Sequence, residues 1–250
     1  MELFGEVWRR ALSSQPPPTP GLVLGAALVA LLLVVHPVPW RLTRVLVTIT
    51  HEGGHAAAAV LAGRRLQGIR VHSDTSGLTL SRGRPSGPGM IVMLLAGYLG
   101  PAVVGLAAVG LLLAGHALGL LWGVTLLLAA MLLQIRNVYG FFVVLGVAGG
   151  LLALSWCGSA PLQTALATLL TWVLLLAAPK PVVELVRQHR AGRAAHSDAG
   201  QLARLTRVPA AVWLTLFALL SVAGLGFGTV LLVPAALDLA RSLAGVFGPG

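Results

Sequence analysis

Val45-Leu46-Val47-Thr48-Ile49-Thr50-His51-Glu52-Gly53-Gly54-His55-Ala56-Ala57-Ala58-Ala59-Val60-Leu61-Ala62 is an apolar run that carries three ionisable residues at its centre. Its length suits a bilayer-spanning helix. Ionisable side chains at such a depth are expensive to insert, so they read as functional by default. On a helix, His51 and His55 stand one turn apart on one face, and both imidazoles can reach a single metal ion. Glu52 is the next residue round, placed to contact a reacting water rather than the metal. The bland alternative is a buried His–Glu pair with a packing role.

The rest of the chain supports a membrane setting. It is 57% hydrophobic and only 10% charged, with a mean hydropathy of +0.90. A soluble chain of 250 residues needs far more charge to cover its surface. Working outward, seven apolar stretches can be placed: Gly21–Val35, Val45–Ala62, Met90–Ala114, Leu118–Leu133, Val138–Trp156, Leu162–Ala178 and Val208–Val233. The expectation is an all-α polytopic membrane protein of six to seven transmembrane helices. The fourth and fifth stretches are separated only by Gln134-Ile135-Arg136-Asn137, so six spans plus a re-entrant pair is the variant. The residues 1–250 read as a single membrane-embedded domain, with 45–156 as the core bearing the site. No segment is long or polar enough to fold separately.

Seventeen basic against seven acidic residues give a net charge of +10. These charges sit between apolar runs, so they read as topogenic and as partners of anionic lipid headgroups; nucleic acid is not expected. Arg9 and Arg10 precede the first apolar run, but Pro16, Pro17, Pro18 and Pro20 intervene, so that run reads as a retained anchor. With a cytoplasmic N-terminus and seven spans, most arginines and Lys180 fall inside, leaving Arg41, Arg44 and Arg241 outside. The polar segment 180–207 is then cytoplasmic and leads into the last span. A lone cysteine, Cys157, excludes an internal disulfide or a multi-cysteine metal site.

Two short segments add detail. Ile69 to Ser81 is rich in β-favouring residues around Asp74-Thr75-Ser76-Gly77, which predicts a hairpin directly after the second span. Ser197 precedes apolar residues at helical spacing and reads as an N-cap.

Two histidines do not complete a catalytic zinc site, which usually takes three protein ligands and a water. The chain offers few carboxylates. Asp74 suits its turn, Glu2, Glu6 and Asp238 lie near the termini, and Glu184 sits in a polar helical extension. Asp198 remains as the candidate third ligand, and Asn137 as its alternative, a neutral amide being the weaker zinc ligand. On the seven-span topology Asp198 is cytoplasmic, so its helix must dip into the bilayer to reach His51.

Taken together, His-Glu-Gly-Gly-His-Ala (51–56), the hairpin after it, and Ala-Gly-Tyr-Leu-Gly-Pro (96–101) resemble the site-2 protease family of intramembrane zinc metalloproteases. Ser197-Asp198-Ala199 ahead of the last span resembles more narrowly a bacterial branch of it. The resemblance implies one Zn2+ per chain on His51 and His55, Glu52 as catalytic base, and cleavage within or near a transmembrane helix of a partner protein in a bacterial cell membrane. It carries one departure: where better-known branches have a carboxylate-bearing element, this chain reads Arg136-Asn137-Val138-Tyr139-Gly140. The competing expectation is a proteolytically inert metal-binding scaffold or carrier. The presence of Glu52 favours the enzyme, and the absence of repeated polar, broken halves speaks against a transporter.

Overall fold

The computed structural model describes residues 2–247. Its elements run α1 (Glu2–Ala11), α2 (Pro20–Val35), α3 (Pro37–Leu61), β1 (Arg65–Val71), β2 (Gly77–Arg82), α4 (Pro88–Leu113), α5 (Ala117–Leu132), α6 (Val138–Cys157), α7 (Ala160–Ala177), α8 (Pro179–Arg190), α9 (Asp198–Thr206) and α10 (Ala210–Phe247). All seven apolar stretches are helical, and the hairpin turn falls on Asp74 to Gly77 as its residues dictate. The Ser76 hydroxyl and amide both donate to the Asp74 carboxylate, which holds that carboxyl below its ordinary pKa. Proline opens α2, α3, α4, α7 and α8, where a missing N–H forfeits no helical bond.

Fewer of these helices qualify alone as membrane spans than there are apolar stretches. Among the described residues, four segments are long and apolar enough alone: Pro88–Leu113, Val138–Cys157, Ala160–Arg190 (α7 running on into α8) and Ala210–Pro234. α2 and α3 qualify only together, as a pair bent by 100°. Against the six to seven helices expected, four therefore qualify as spans by length and composition, or five with the bent pair. The reason is local. Pro37 and Pro39 end the hydrogen-bond ladder of α2, while the His36 imidazole accepts from the Val38 N–H and starts α3 in a new direction. α5 has 16 residues, roughly 24 Å at about 1.5 Å each, short of a hydrocarbon core about 30 Å thick. It nevertheless runs the chain back across the bundle, because the α4–α5 turn, where the Gly115 carbonyl accepts from the Gln15 N–H, and the α6–α7 turn lie at the same end.

The bend also corrects the seven-span threading. That threading puts Arg44 and the 180–207 segment on opposite faces, yet Arg44 and Glu184 form an ion pair at 2.8 Å. Lys180 likewise donates to the Val34 carbonyl and lies 3.9 Å from the Trp40 ring centroid. The same threading separates the N-terminal segment from Gly158. In the structure Arg10 donates to the Trp156 carbonyl at 3.0 Å, and the Gln15 side chain donates to Gln163. Both regions sit at one end of the bundle.

Small residues let the helices close. A Cβ on Gly54 would collide with the Ala96 carbonyl, and one on Gly100 with the Thr50 carbonyl, so α3 and α4 touch backbone to backbone. The hairpin folds back along α3, with the Thr48 hydroxyl donating to the Thr75 carbonyl. The outer edge of β1 is taken up by the α5–α6 turn. The Ile69 N–H donates to Gln134, the Arg136 N–H donates to Ile69, and the Asn137 side chain exchanges two bonds with Val71.

Candidate metal centre

α3 presents His51, Glu52 and His55 towards α4 and the hairpin; Glu52 and His55 are 4% and 6% exposed. The His55 Nδ1 lies 2.7 Å from the Met93 carbonyl. A carbonyl only accepts, so Nδ1 carries the proton and the Nε2 lone pair is left free. That Nε2 is 3.0 Å from the Nε2 of His51.

The third group comes from α9. The Ser197 hydroxyl caps this helix by accepting from the Gly200 N–H, and Ala199 and Leu202 are buried against Leu94, Val182, Leu185 and Phe217. Docking that apolar face turns Asp198, in the first turn, towards the two imidazoles. Its Oδ2 lies 3.4 Å from His51 Nε2 and 3.3 Å from His55 Nε2.

Three lone-pair donors converging on one point repel one another unless a cation sits among them. For ligands about 2.0–2.1 Å from a tetrahedral zinc ion, the edge between two ligand atoms is roughly 3.3 Å. The three separations of 3.0, 3.3 and 3.4 Å match that edge. The donor set therefore fits zinc, and the hydrogen bond from His55 Nδ1 to Met93 is the kind of outer partner that fixes a ligand's tautomer.

The structure brings His51, His55 and Asp198 together with all three donor atoms within 4.8 Å of one another. Asn137 is elsewhere, its amide committed to the Val71 backbone. Glu52 faces the hairpin: the Thr79 hydroxyl donates to its Oε2 at 2.6 Å, and a side chain at Gly77 would fall on its carboxylate.

Sequence reasoning missed several members of the site. Met93 acts through its carbonyl, which no side-chain pattern reveals. Gly97 leaves the room in which the imidazoles sit, since a Cβ there would lie 2.8 Å from His51 Cε1 and closer still to His55 Nε2. Thr79 is an ordinary strand residue until the hairpin folds back. Tyr98 packs edge to face with His51, ring centroids 4.7 Å apart, and stacks on Phe217 at 4.6 Å. A cavity of about 150 Å³ opens beside His51, walled by Thr48 of α3, Tyr98 of α4 and Thr75 to Gly77 of the hairpin turn.

A family model described as Peptidase M50B-like matches residues 24–228. No curated protein and no solved structure matches the chain.

Proposed function

The chain belongs to the Peptidase M50B-like family, and from that premise we propose that it is an intramembrane zinc endopeptidase. Its substrate, on this reading, is a membrane protein cut within or near a transmembrane helix, in the cell membrane. The observation that carries the proposal is the convergence of His51, His55 and Asp198 at tetrahedral separations, with Glu52 adjacent, inside an apolar bundle.

Zinc held by His51, His55 and Asp198 supplies Lewis acidity, which makes water a nucleophile near neutral pH and polarises a carbonyl. The protein's own residues do the rest. Glu52 accepts the proton of the attacking water and passes it to the departing amine. The Thr79 hydroxyl holds that carboxylate in one orientation, and Gly77 leaves space for it. Burial keeps bulk water away, so fixed dipoles and charges act at full strength.

The test compares purified wild type, His51→Ala and Glu52→Gln for zinc content and for cleavage of a membrane peptide. Wild type should hold about one zinc per chain and cleave. His51→Ala should lose the metal, and Glu52→Gln should keep it but not cleave, because an amide takes no proton from water. Zinc-loaded Glu52→Gln cleaving at the wild-type rate would refute the proposed chemistry.

A further inference from the structure

Of the polar side chains lining the cavity beside His51 that the proposed chemistry leaves unused, Arg44, Thr48, Thr75 and Ser76 are bonded to other protein groups, and Tyr98 differs from them. Tyr98 is fixed on two sides, perpendicular to the His51 ring and stacked on Phe217 across an interplanar angle of 20°. Two such contacts leave its ring no freedom to swing away. Among the described residues, its hydroxyl makes no hydrogen bond to the protein. A tyrosine hydroxyl that is buried usually finds a partner. This one is not sealed in, unlike the Trp213 indole N–H, which is buried and unpartnered. It belongs to a residue that lines the cavity, together with His51 and with Gly77, the residue packed against the Glu52 carboxylate.

From this geometry we infer that Tyr98 is a further catalytic residue, whose hydroxyl donates a hydrogen bond to the scissile carbonyl oxygen of the substrate. The inference rests on the peptidase reading and adds a specific role to it. As water adds to the carbonyl carbon, the C=O π bond breaks and its electron pair moves to oxygen. A donor aimed at that oxygen strengthens as the charge grows, so it lowers the barrier more than it tightens substrate binding. Tyr98 keeps its proton throughout, and Glu52 remains the group that accepts and returns the proton of the water. Two-sided packing pre-orients the donor, so little reorganisation accompanies the reaction.

Tyr98→Phe separates this role from a structural one, because phenylalanine preserves both ring contacts and removes only the hydroxyl. The measurements are zinc content, kcat and KM on a membrane peptide, and affinity for a phosphinic peptide that mimics the tetrahedral adduct. Zinc content should stay at the wild-type level and KM within about threefold, while kcat falls about 10²-fold, as when one oxyanion donor is removed. Affinity for the phosphinic peptide should fall by a similar factor. Wild-type kcat in Tyr98→Phe, or a loss of kcat matched by an equal loss of zinc, would overturn the inference. So would undiminished phosphinic-peptide affinity, a measurement that needs no turnover. Failure of the zinc-loaded wild type to cleave any membrane peptide would instead overturn the parent reading.

Discussion

Gly97→Ala tests the site through space rather than through chemistry. The added methyl would sit 2.8 Å from His51 Cε1 and closer still to His55 Nε2, about 1 Å inside ordinary van der Waals contact. Neither obstacle is the free end of a flexible chain. His55 is pinned by its 2.7 Å bond to the Met93 carbonyl, and α4 cannot retreat without opening the contact between Gly54 and Ala96. An imidazole displaced by about 1 Å misses a metal whose ligand distances tolerate about 0.2 Å. We expect zinc affinity to fall at least 10–100-fold, the loss typical of removing an outer-shell partner, or about 1.4–2.8 kcal/mol. Gly53→Ala is the internal control. It lies on α3 between His51 and His55, and a Cβ there meets nothing within 4 Å. It should bind zinc normally and gain about 0.5–1 kcal/mol of helix stability. Chelator competition and thermal melting of both variants decide the matter. Wild-type zinc affinity in Gly97→Ala would refute the reasoning, because the imidazoles would then have room that the geometry denies them.

Two further expectations concern the third ligand and the topology. Asp198→Ala should cost more than the ~10–100-fold in zinc affinity typical of an outer-shell change, whereas Asn137→Ala should keep zinc. Asn137→Ala should still lower the melting temperature, since the Val71 N–H and carbonyl lose partners at about 1–3 kcal/mol each; zinc loss in Asn137→Ala alone would reverse the assignment. In a Cys157→Ser background, cysteines at Arg82 and Arg193 should label from one side of the membrane, and cysteines at Ser14 and Ser159 from the other. Labelling of Ser14 and Ser159 from opposite sides would contradict the contacts between the N-terminal segment and the α6–α7 turn.

What the sequence made legible follows from which interactions are local. His51, Glu52 and His55 lie on one helix, so their spacing alone states their geometry. The hairpin is equally local, since Asp74-Thr75-Ser76-Gly77 specifies its own turn and β-favouring residues flank it. The seven apolar helices were legible for the same reason, whereas α1 (Glu2–Ala11) was not. Not legible was the way these pieces meet. The carbonyl of Met93, the space at Gly97 and the hydroxyl of Thr79 become part of the site only when α4 and the hairpin close on α3. Asn137 is the alternative ligand on sequence because it lies between the fourth and fifth apolar stretches, where better-known branches of the family carry a carboxylate-bearing element. Its task is instead to bridge the β1 backbone, a pairing over 66 residues that no periodicity encodes.

The seven-span threading failed for a related reason, and its failure bears on Asp198. Hydropathy registers length and composition but not direction, so α2 and α3 read as two crossings although His36 and two prolines bend them into a single unit. Counting them twice inverts every face assignment on one side of the bend. Counted once, the arginines at 64, 65, 82, 84, 187, 190 and 193 share a face, and the N-terminal segment lies at the opposite end with the α6–α7 turn. The positive-inside rule then favours a cytoplasmic Arg-rich face and an N-terminus outside, the opposite of the seven-span threading. The bend also eases the difficulty of depth. A straight α3 would carry His51 deep below any polar segment. Bent, it runs beside α8, where Arg44 pairs with Glu184, and α9 needs only to dock Ala199 and Leu202 against α4, α8 and α10 for Asp198 to meet the imidazoles. Asp198 thus reaches His51 and His55 because its nine-residue helix is packed into the bundle by its own apolar face, with Ser197 satisfying its first turn.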